Sequence, residues 1–421
     1  MASCTGLLGQ QVYDNGRNFL KFQLKTELET EINETLTLPA ITICNRNMFT
    51  KYLLNEMDEL LLENITNALW KEIFEIGKNR FENGTKNESI FVFPYELILE
   101  RAIYYEAKEI EILKRFNEQN FTISKWLERI GWQLNTTVTT EGEQKRKYPA
   151  IIDCYIGRVP CGLEDFRPVH TREGLCYSFN VNPNITVNQN LAGVENGLRL
   201  IIDVDGYDYT NYSLNGFERL SKGVTVAFHD WNEPPDVNMG LAVPTGYNTH
   251  IGGLKQRRTL ENSYPWSTCS SYTEDLDMPY SKKNCIFNCK SNYTLEICGC
   301  RLWFENADID MNEICGLAMT SACLYYMDVI KNINDFTNGN RTINDNNTRL
   351  NYANERYQSC VLECEENCIE NLYDFSTTFL SILSKSSEPY LTNLLYTKTG
   401  IKYEIFSEVQ TIGYVAPPDN K

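Results

Sequence analysis

Histidine is scarce in this chain of 421 residues, which contains only His170, His229 and His250. Zinc sites are usually built from CxxC pairs or from mixed cysteine and histidine sets, and the cysteines here follow other spacings. The sequence therefore does not predict a zinc site, and we expect no other metal and no cofactor.

Signatures of enzymes and of nucleic-acid binding are also missing. The chain has no GxSxG, HExxH or glycine-rich phosphate loop, so the pair His229-Asp230 among many serines does not indicate a hydrolase. Its basic runs, Lys145–Lys147 and Arg257-Arg258, form no stripe with interleaved aromatics. We expect neither an enzyme nor a nucleic-acid partner. The net charge of −17 favours solubility and would concentrate cations or basic ligands.

Long apolar runs are absent as well. No stretch of 18 apolar residues occurs, and the N-terminus lacks the apolar core and cleavage site of a signal peptide. Residues 1–13 are apolar and small but too few to span a bilayer. We interpret them as the outer end of a membrane helix, and the chain as a fragment of a longer protein.

Cysteine, by contrast, is abundant, and ten of the fifteen cysteines lie between Cys269 and Cys368. Cys285 and Cys289 are four residues apart, and Cys360, Cys364 and Cys368 follow one another at the same spacing. On a helix, each set would occupy one face. Two antiparallel helices with these faces opposed predict a stapled helical hairpin. Its disulfides would be Cys289–Cys360, Cys285–Cys364 and Cys269–Cys368.

The remaining cysteines can be paired by position. Cys298-Gly-Cys300 would place two thiols on one side of an extended strand, and nesting predicts that these bond to cysteines farther along the chain. Cys154 and Cys161 would close a tight local loop, and Cys176 then remains for Cys44. Cys4 stays unpaired. The predicted bonds are Cys298–Cys323, Cys300–Cys315, Cys154–Cys161 and Cys44–Cys176.

Eleven N-x-S/T sequons agree with an oxidising, extracellular location. They begin at Asn33, Asn64, Asn83, Asn87, Asn120, Asn135, Asn184, Asn211, Asn292, Asn340 and Asn346.

Residues 48–132 show the spacing of amphipathic helices. One apolar stripe runs from Tyr52 to Leu69, a second from Leu97 to Ile112, and a third, shorter helix is predicted from Ser124 to Trp132. We interpret this part as a helical subdomain inserted between strands.

The flanking segments carry strand signals. Leu36 to Cys44 is rich in β-branched residues, and Pro39 within it indicates an edge strand or the start of a strand. Further strands are predicted at Leu175–Val181, Leu198–Val204, Val224–His229 and Gly240–Pro244, and again at 400–409. We expect the early and late strands to share one sheet.

Several segments resemble signatures of the degenerin/epithelial sodium channel family, which includes acid-sensing and peptide-gated channels. They are LTLPAITICN at 36–45, GLCYSFN at 174–180, FHDWNEPPDV at 228–237, AVPTG at 242–246 and YPWSTC at 264–269. The order of the ten late cysteines also matches the family, and its nested bonding agrees with the pairing predicted above. Within the family, the chain is most similar to FMRFamide-gated sodium channels.

The resemblance implies an α+β ectodomain shaped like a clenched hand, with a central β-sheet palm, a β-ball, a helical finger and a disulfide-stapled helical thumb. It assigns 1–13 to the outer end of the first transmembrane helix, 14–45 to the first part of the palm and 46–150 to the finger. Palm, β-ball and knuckle would occupy 151–266, the thumb 267–385, and a returning palm strand 386–421, ending before a second transmembrane helix.

The same resemblance implies a trimer around an amiloride-sensitive, sodium-selective pore in the plasma membrane, with this part outside the cell. The partners would be two further copies of the chain, the lipid bilayer at both chain ends, sodium ions and a ligand. No pore residue can be named, because the segment with the selectivity filter is missing. Trp266 would carry thumb movement to the first membrane helix, with Phe22 as its aromatic partner.

Our first hypothesis for the opening signal is a short amidated neuropeptide of the RFamide type. Aromatic pockets of the finger would hold its Phe, and carboxylates its Arg. The candidates are Tyr104, Tyr105, Glu106, Trp126, Trp132 and Glu59, with Glu63 and Glu109 nearby. At helical spacing, however, such aromatics usually belong to the core.

Proton gating is the alternative within the family. Clustered carboxylates could raise one another's pKa into the physiological range, and candidates are Glu363, Glu365, Glu366, Asp203 and Asp205. The scarcity of histidine removes the simplest pH sensor but does not exclude proton gating. Constitutive conduction tuned by proteases ranks third, and a secreted disulfide-rich glycoprotein that binds partners is the alternative of another class.

Overall fold

The computed structural model describes most of the chain in separate stretches. These are residues 2–21, 27–28, 36–83, 95–134, 139–140, 143–144, 150–181, 188–189, 196–204, 209–210, 212–214, 221–262, 267–271, 279–305, 314–337, 359–381, 388–399, 403–406 and 411–414.

The named α-helices of the described residues lie in four regions of the sequence. The α-helices are α1 (Ala2–Phe19), α2 (Glu56–Leu61), α3 (Ala68–Asn83), α4 (Tyr95–Arg115), α5 (Ile123–Ile130), α6 (Lys282–Cys298), α7 (Leu317–Thr337) and α8 (Glu388–Thr399). A π-helix, Leu62–Asn67, joins α2 to α3, and 3₁₀ turns cover Lys51–Leu53, Leu163–Asp165 and Val237–Met239.

The strands lie mainly between 36 and 270. They are β1 (Leu36–Thr37), β2 (Ala40–Asn45), β3 (Thr139–Thr140), β4 (Glu143–Gln144), β5 (Ile151–Ile156), β6 (Val159–Pro160), β7 (Phe166–Thr171), β8 (Gly174–Phe179), β9 (Asn188–Gln189), β10 (Leu198–Ile202), β11 (Gly223–His229), β12 (Leu241–Pro244), β13 (Tyr247–Thr259), β14 (Cys269–Ser270), β15 (Glu366–Asn367), β16 (Ile369–Ser381), β17 (Tyr403–Phe406) and β18 (Thr411–Tyr414).

A five-stranded antiparallel sheet, the central sheet, has the order β12-β11-β2-β8-β7. Its middle strand β2 is buried along its whole length, as its β-branched sequence predicts. Pro39 comes immediately before this strand, where its missing N–H removes no ladder bond. The predicted strand start is therefore correct, and the predicted edge position is wrong.

The core of the central sheet combines β-branched and aromatic side chains. Phe166 contacts Phe179 at a ring-centroid distance of 5.4 Å, and Trp132 lies edge-on to Tyr177 at 6.0 Å. Cys44 of β2 lies opposite Cys176 of β8 and bonds to it, as predicted. A smaller sheet, β10-β5-β6, is closed by Cys154–Cys161.

The longest strands form a two-stranded ribbon that the sequence interpretation missed. β13 pairs with β16 in one continuous antiparallel register, from Tyr247↔Ser381 to Thr259↔Ile369. Residues 369–381 therefore form a strand, and the prediction that 267–385 is wholly a helical region is wrong. The ribbon packs on the central sheet, where Phe375 stacks on Phe228 at a centroid distance of 3.9 Å.

The late strands also differ from the prediction. β17 pairs with β18 in a hairpin of its own, and helix α8 precedes it. Within the described residues these strands do not join the central sheet, so the expected sharing of one sheet by early and late strands is wrong.

The helices α2, α3, α4 and α5 with the intervening π-helix, here called the helical cluster, enclose a second core. Asp58 is completely buried there and fixes α5 to α2. Its carboxylate accepts from Trp126 Nε1 at 2.8 Å and from both terminal nitrogens of Arg129, and it forms a capping box with Asn55. A charged group is tolerated at this depth because every lone pair has a donor.

Residues 269–368, here called the stapled segment, contain five disulfides with the predicted partners. They are Cys269–Cys368, Cys285–Cys364, Cys289–Cys360, Cys298–Cys323 and Cys300–Cys315.

Two local expectations about this segment are wrong. Cys298 ends α6, and Gly299 follows in the left-handed conformation with φ 74°, so the Cys-Gly-Cys sequence is a helix C-cap and not a strand. The described helix around Cys360 covers only 359–363, and Cys368 lies beyond strand β15, which pairs parallel with β14. In both cases the predicted disulfides still form, because the backbone brings the two cysteines of each pair close together.

The N-terminal helix α1 is exposed from Gly9 to its end. In the part of the chain that the structure describes, no helix is both long and apolar enough to cross a membrane.

The disulfides should stabilise the fold according to loop length. Replacing Cys269 and Cys368 by Ser opens a loop with a sequence separation of 99 residues, and replacing Cys300 and Cys315 opens one of 15. On the loop-entropy model we expect losses of about 4.7 and about 3 kcal/mol. Denaturant titration followed by tryptophan fluorescence measures both, and a larger loss from the shorter loop would contradict this account.

Candidate functional site

The six residues predicted to bind a ligand do not share one surface. Tyr105, Trp126 and Trp132 are buried, with exposed fractions of 7%, 3% and 2%. Trp126 lies in the core of the helical cluster, whereas Trp132 belongs to the core of the central sheet. These indoles therefore stabilise two separate cores, and the remaining candidates, Tyr104, Glu106 and Glu59, lie on helices α4 and α2.

Tyr104 and Tyr105 lie side by side on α4, and Tyr104 is exposed. Their rings meet edge to face at a centroid distance of 5.3 Å. Lys108 Nζ lies 4.5 Å from the centroid of Tyr104 and 4.9 Å from that of Tyr105. The ring faces therefore already hold a cation of the chain itself.

Tyr105 also ties α4 to α3. Its hydroxyl donates to Glu72 Oε2 at 3.1 Å, and Arg101 pairs with the same carboxylate at 3.2 Å. Burial, reinforced by Glu72, raises the pKa of Tyr105 to about 12. These contacts give Tyr105 a structural role inside the helical cluster.

Glu59 belongs to a different group, which we call the acidic–aromatic patch: Glu59, Glu63 and Tyr212. Both carboxylates are exposed, and Tyr212 packs against the helical cluster. Partial burial raises the pKa of Tyr212, and the charges of Glu63 and Glu59 raise it further. Such a patch attracts cations.

Glu109 joins the helical cluster to the stapled segment. It is 4% exposed and lies where α4 packs on the N-terminus of α7. Its two carboxylate oxygens accept from Leu317 N at 3.1 Å and Ala318 N at 3.2 Å. These backbone groups are among the helix donors that have no partner within α7, so Glu109 caps that helix from another part of the chain.

Burial raises the pKa of Glu109, with a smaller contribution in the same direction from Glu106, while the backbone donors of Leu317 and Ala318 act against it. The seam between α4 and α7 thus holds a carboxylate whose charge is opposed by desolvation and favoured by the helix terminus.

At its opposite end the stapled segment is attached through Glu233, which follows β11. The Glu233 carboxylate accepts from Ser281 Oγ at 3.1 Å and from Lys283 Nζ at 2.8 Å. Ser281 is at the same time the N-cap of α6, because its Oγ accepts from Asn284 N. Burial acts to lower the pKa of Lys283, but the hydrogen bond and charge of Glu233, with the charges of Glu370 and Asp230, together outweigh it and raise the pKa.

The adjacent Asp230 attaches the same loop to the ribbon. It accepts from Tyr373 Oη at 2.6 Å and from Asn371 Nδ2 at 3.0 Å. Burial and the bond to Asp230 raise the pKa of Tyr373, so this hydroxyl stays protonated and donates. One short loop, 230–233, therefore contacts both the stapled segment and the ribbon.

Trp303 provides a third attachment. Its indole is 2% exposed, and Nε1 donates to the backbone oxygen of Thr171, the last residue of β7, at 2.9 Å. Thr171 Oγ1 in turn lies 3.0 Å from Cys176 Sγ in the Cys44–Cys176 bridge. A movement of the stapled segment must therefore act on the central sheet both here and at Glu233.

Other predicted site residues are more scattered. Trp266 and Phe22, expected as the gating contact, and Asp205 lie outside the described residues. Glu363, Glu365 and Glu366 are exposed, and Glu366 pairs with Lys282. No group of three or more His, Cys, Asp or Glu that could hold a metal occurs among the residues described.

Of the sequon asparagines, Asn64, Asn120 and Asn292 have described side chains, and all three are exposed. The side chains of the others lie outside the description. They are Asn33, Asn83, Asn87, Asn135, Asn184, Asn211, Asn340 and Asn346.

Sequence reasoning missed the roles of Glu233, Ser281 and Trp303, and it named Glu109 only as a carboxylate near the candidate peptide-binding residues. A Ser directly before a helical stretch is a recognisable N-cap signal, and it could have marked Ser281. The partners of Glu109 and Trp303 are 208 and 132 residues away, so no local pattern reveals them.

Comparison with known proteins connects this arrangement to ion channels. A family model described as "Amiloride-sensitive sodium channel" matches residues 1–414. The chain is 25% identical over 297 residues to the bile acid-sensitive ion channel of Mus musculus, covering 70% of this chain and 52% of the relative. It is 26% identical over 291 residues to acid-sensing ion channel 1 of Gallus gallus, covering 66% and 48%.

A third relative, acid-sensing ion channel 2 of Rattus norvegicus, is 25% identical over 310 residues, covering 70% of this chain and 53% of the relative. The chain thus spans about half the length of the curated relatives it matches.

The cap formed by Glu109 should matter for stability. E109A leaves two buried N–H groups without an acceptor, so we expect a loss of about 2–4 kcal/mol. The matched control is E111A on the exposed face of α4, expected to change stability by less than about 0.5 kcal/mol. The raised pKa means that folding favours protonated Glu109, so wild type gains on E109Q as the pH falls. Equal losses for E109A and E111A in urea titrations would refute the cap.

Glu233 and Ser281 should show strong coupling. A double-mutant cycle with E233Q and S281A is expected to give a coupling energy of about 1–3 kcal/mol, because a buried carboxylate loses a donor. The exposed pair Lys282–Glu366, tested with K282M and E366Q, should give less than about 1 kcal/mol. If the exposed pair couples more strongly, Glu233 is not the main attachment.

Proposed function

The chain belongs to the amiloride-sensitive sodium channel family, and on that basis we propose that it is the extracellular ligand-sensing part of a trimeric, amiloride-sensitive, sodium-selective channel of the plasma membrane. The observation that carries this proposal is the stapled segment, which joins the helical cluster at Glu109 and the central sheet at Glu233 and Trp303.

In this proposal the helical cluster is the finger, the stapled segment the thumb and the central sheet the palm, with β10-β5-β6 in the β-ball. The pore, the two further copies of the chain and the lipid bilayer complete the channel. A ligand acts by changing the contact between finger and thumb, and the stiff thumb transfers the movement to the palm.

Protons are the opening signal that the geometry supports best. The finger–thumb contact includes Glu109, a buried carboxylate whose pKa is raised by burial. Because the raised pKa means that the closed contact binds this proton more tightly than an opened, solvated one, acid favours the contact between α4 and α7. Relatives named acid-sensing ion channels agree with this assignment.

An RFamide-type peptide is the second candidate, supported by the acidic–aromatic patch. Its exposed Glu59 and Glu63 beside Tyr212 offer carboxylates to an Arg and a ring face to a cation. The patch has the chemistry predicted for the peptide, although Trp126 and Trp132 are buried elsewhere and do not contribute.

Two-electrode recording from oocytes that express the channel containing this chain separates these signals. We expect an inward, amiloride-sensitive sodium current after a drop in pH, and a smaller acid response in E109Q than in the control E111Q. Surface biotinylation of each variant corrects for expression.

A current evoked by an RFamide peptide at constant pH, lost in E59Q/E63Q, would replace protons by the peptide as the signal. Surface-exposed protein that gives no current under either stimulus would contradict the channel assignment and favour a glycoprotein that binds partners without a pore.

A further inference from the structure

A cleft lies beside the central sheet, where the chain that follows α5 meets strands β7 and β8. Its volume is about 490 Å³. Small-molecule sites usually measure about 300–1,000 Å³, so the cleft is large enough for a ligand of one or two rings. None of the attachments described above uses it. The residues that line it are Gln133, Leu134, Leu163, Glu164, Phe166 and Tyr177.

The greater part of this lining is apolar. Leu134, Phe166 and Tyr177 are buried in the core of the central sheet, and Leu163 packs against the same core. Burial raises the pKa of Tyr177 to about 12, and the charge of Glu128 acts in the same direction, so the phenol stays uncharged at neutral pH. An aromatic or alkyl group of a ligand would be shielded from water against these side chains.

The polar part of the lining offers acceptors. The amide nitrogen of Gln133 donates to the backbone oxygen of Glu128, which leaves the Gln133 amide oxygen to accept from a ligand. Glu164 is exposed, and its carboxylate makes no hydrogen bond or ion pair with another described residue. No Lys, Arg or His lines the cleft, and Arg167 projects from the opposite face of β7 to Phe166, because side chains alternate along a strand. The lining therefore carries one negative charge and no positive one.

The turn that begins at Gly162 holds Glu164 at the cleft. Cys161, directly before this turn, is bonded to Cys154, and the Asp165 carboxylate accepts from Gly162 N at 2.9 Å. The Glu164 carboxylate folds back over Gly162, where a Cβ would collide with both of its oxygens. Glycine at this position thus leaves the space that the carboxylate occupies.

We propose that this cleft is a binding site for a small organic ammonium ion that carries one apolar group, such as an arylalkylamine. The ammonium binds to the Glu164 carboxylate and the Gln133 amide oxygen, and the apolar group packs against Leu163, Phe166 and Tyr177. Both parts of the ligand are needed, because an exposed ion pair alone contributes little affinity. The proposal concerns binding to this chain and does not depend on the proposed function.

Three matched probes test the recognised charge. Phenethylammonium, 2-phenylethanol and phenylacetate share a phenyl ring and differ in charge, and methylammonium has the charge without the ring. Isothermal titration calorimetry on the channel that contains this chain, purified in a non-ionic detergent, measures each dissociation constant. We expect phenethylammonium to bind at least about threefold more tightly than 2-phenylethanol, and we expect no saturable binding of phenylacetate or methylammonium.

Two variants test the role of the carboxylate. E164Q removes the charge and keeps the shape, so the affinity for phenethylammonium should fall about threefold to fivefold while that for 2-phenylethanol stays unchanged. G162A keeps Glu164 but pushes its carboxylate aside, so it should also weaken phenethylammonium selectively. The control E118Q changes an exposed carboxylate beyond the end of α4 and should keep all wild-type affinities.

Neither variant should disturb the fold, because Glu164 is exposed and Gly162 has φ −133°, which any residue adopts. Thermal unfolding without a probe checks this, with midpoints expected within about 2 °C of wild type. If a variant does unfold, the order of the probes on the wild-type protein still decides. Absence of saturable phenethylammonium binding, equal affinities for the three phenyl probes, or an unchanged affinity in a folded E164Q would overturn the proposal.

Discussion

The disulfides of the stapled segment are the constraint on which the rest of the structure depends. Cys285–Cys364 and Cys289–Cys360 join α6 to a described helix that covers only 359–363, and Cys269–Cys368 closes the base beside β14 and β15. These bonds hold the chain around Cys360 and Cys364 against α6. Covalent links fix its position, and the buried contacts around them can then be made with little further loss of entropy.

A segment that cannot bend concentrates change at its attachments, and each of these contains a buried polar group. Glu109 caps α7, Glu233 accepts from the N-cap of α6, and Trp303 donates to β7. Burial raises the pKa of Glu109. Protonation changes the pairing of such groups more than that of exposed ones, because no water replaces a lost partner. The stiff stapled segment can therefore respond to protonation through the buried polar groups at its attachments.

Cysteine spacing predicted all the described disulfides, because it limits which thiols can meet even when they are far apart in sequence. The same spacing misjudged local structure. It predicted a strand at Cys298-Gly299-Cys300, where glycine ends a helix. The ribbon of β13 and β16 escaped notice because its strands are 110 residues or more apart in sequence and interrupted by polar positions. Trp126 and Trp132 are predicted from the sequence to line a ligand pocket, but the structure buries them in two different cores. The attachments at Glu109, Glu233 and Trp303 could not be predicted from the sequence, because the partners of these residues are set only by the assembled fold.

The central claim, an oxidised and therefore rigid stapled segment, is tested most directly by peptide mapping of the secreted or surface-expressed protein without reduction. The account predicts the linked peptides Cys269–Cys368, Cys285–Cys364, Cys289–Cys360, Cys298–Cys323 and Cys300–Cys315, and no alkylated thiol among these ten. Free thiols at these positions, or a different pairing, would contradict it.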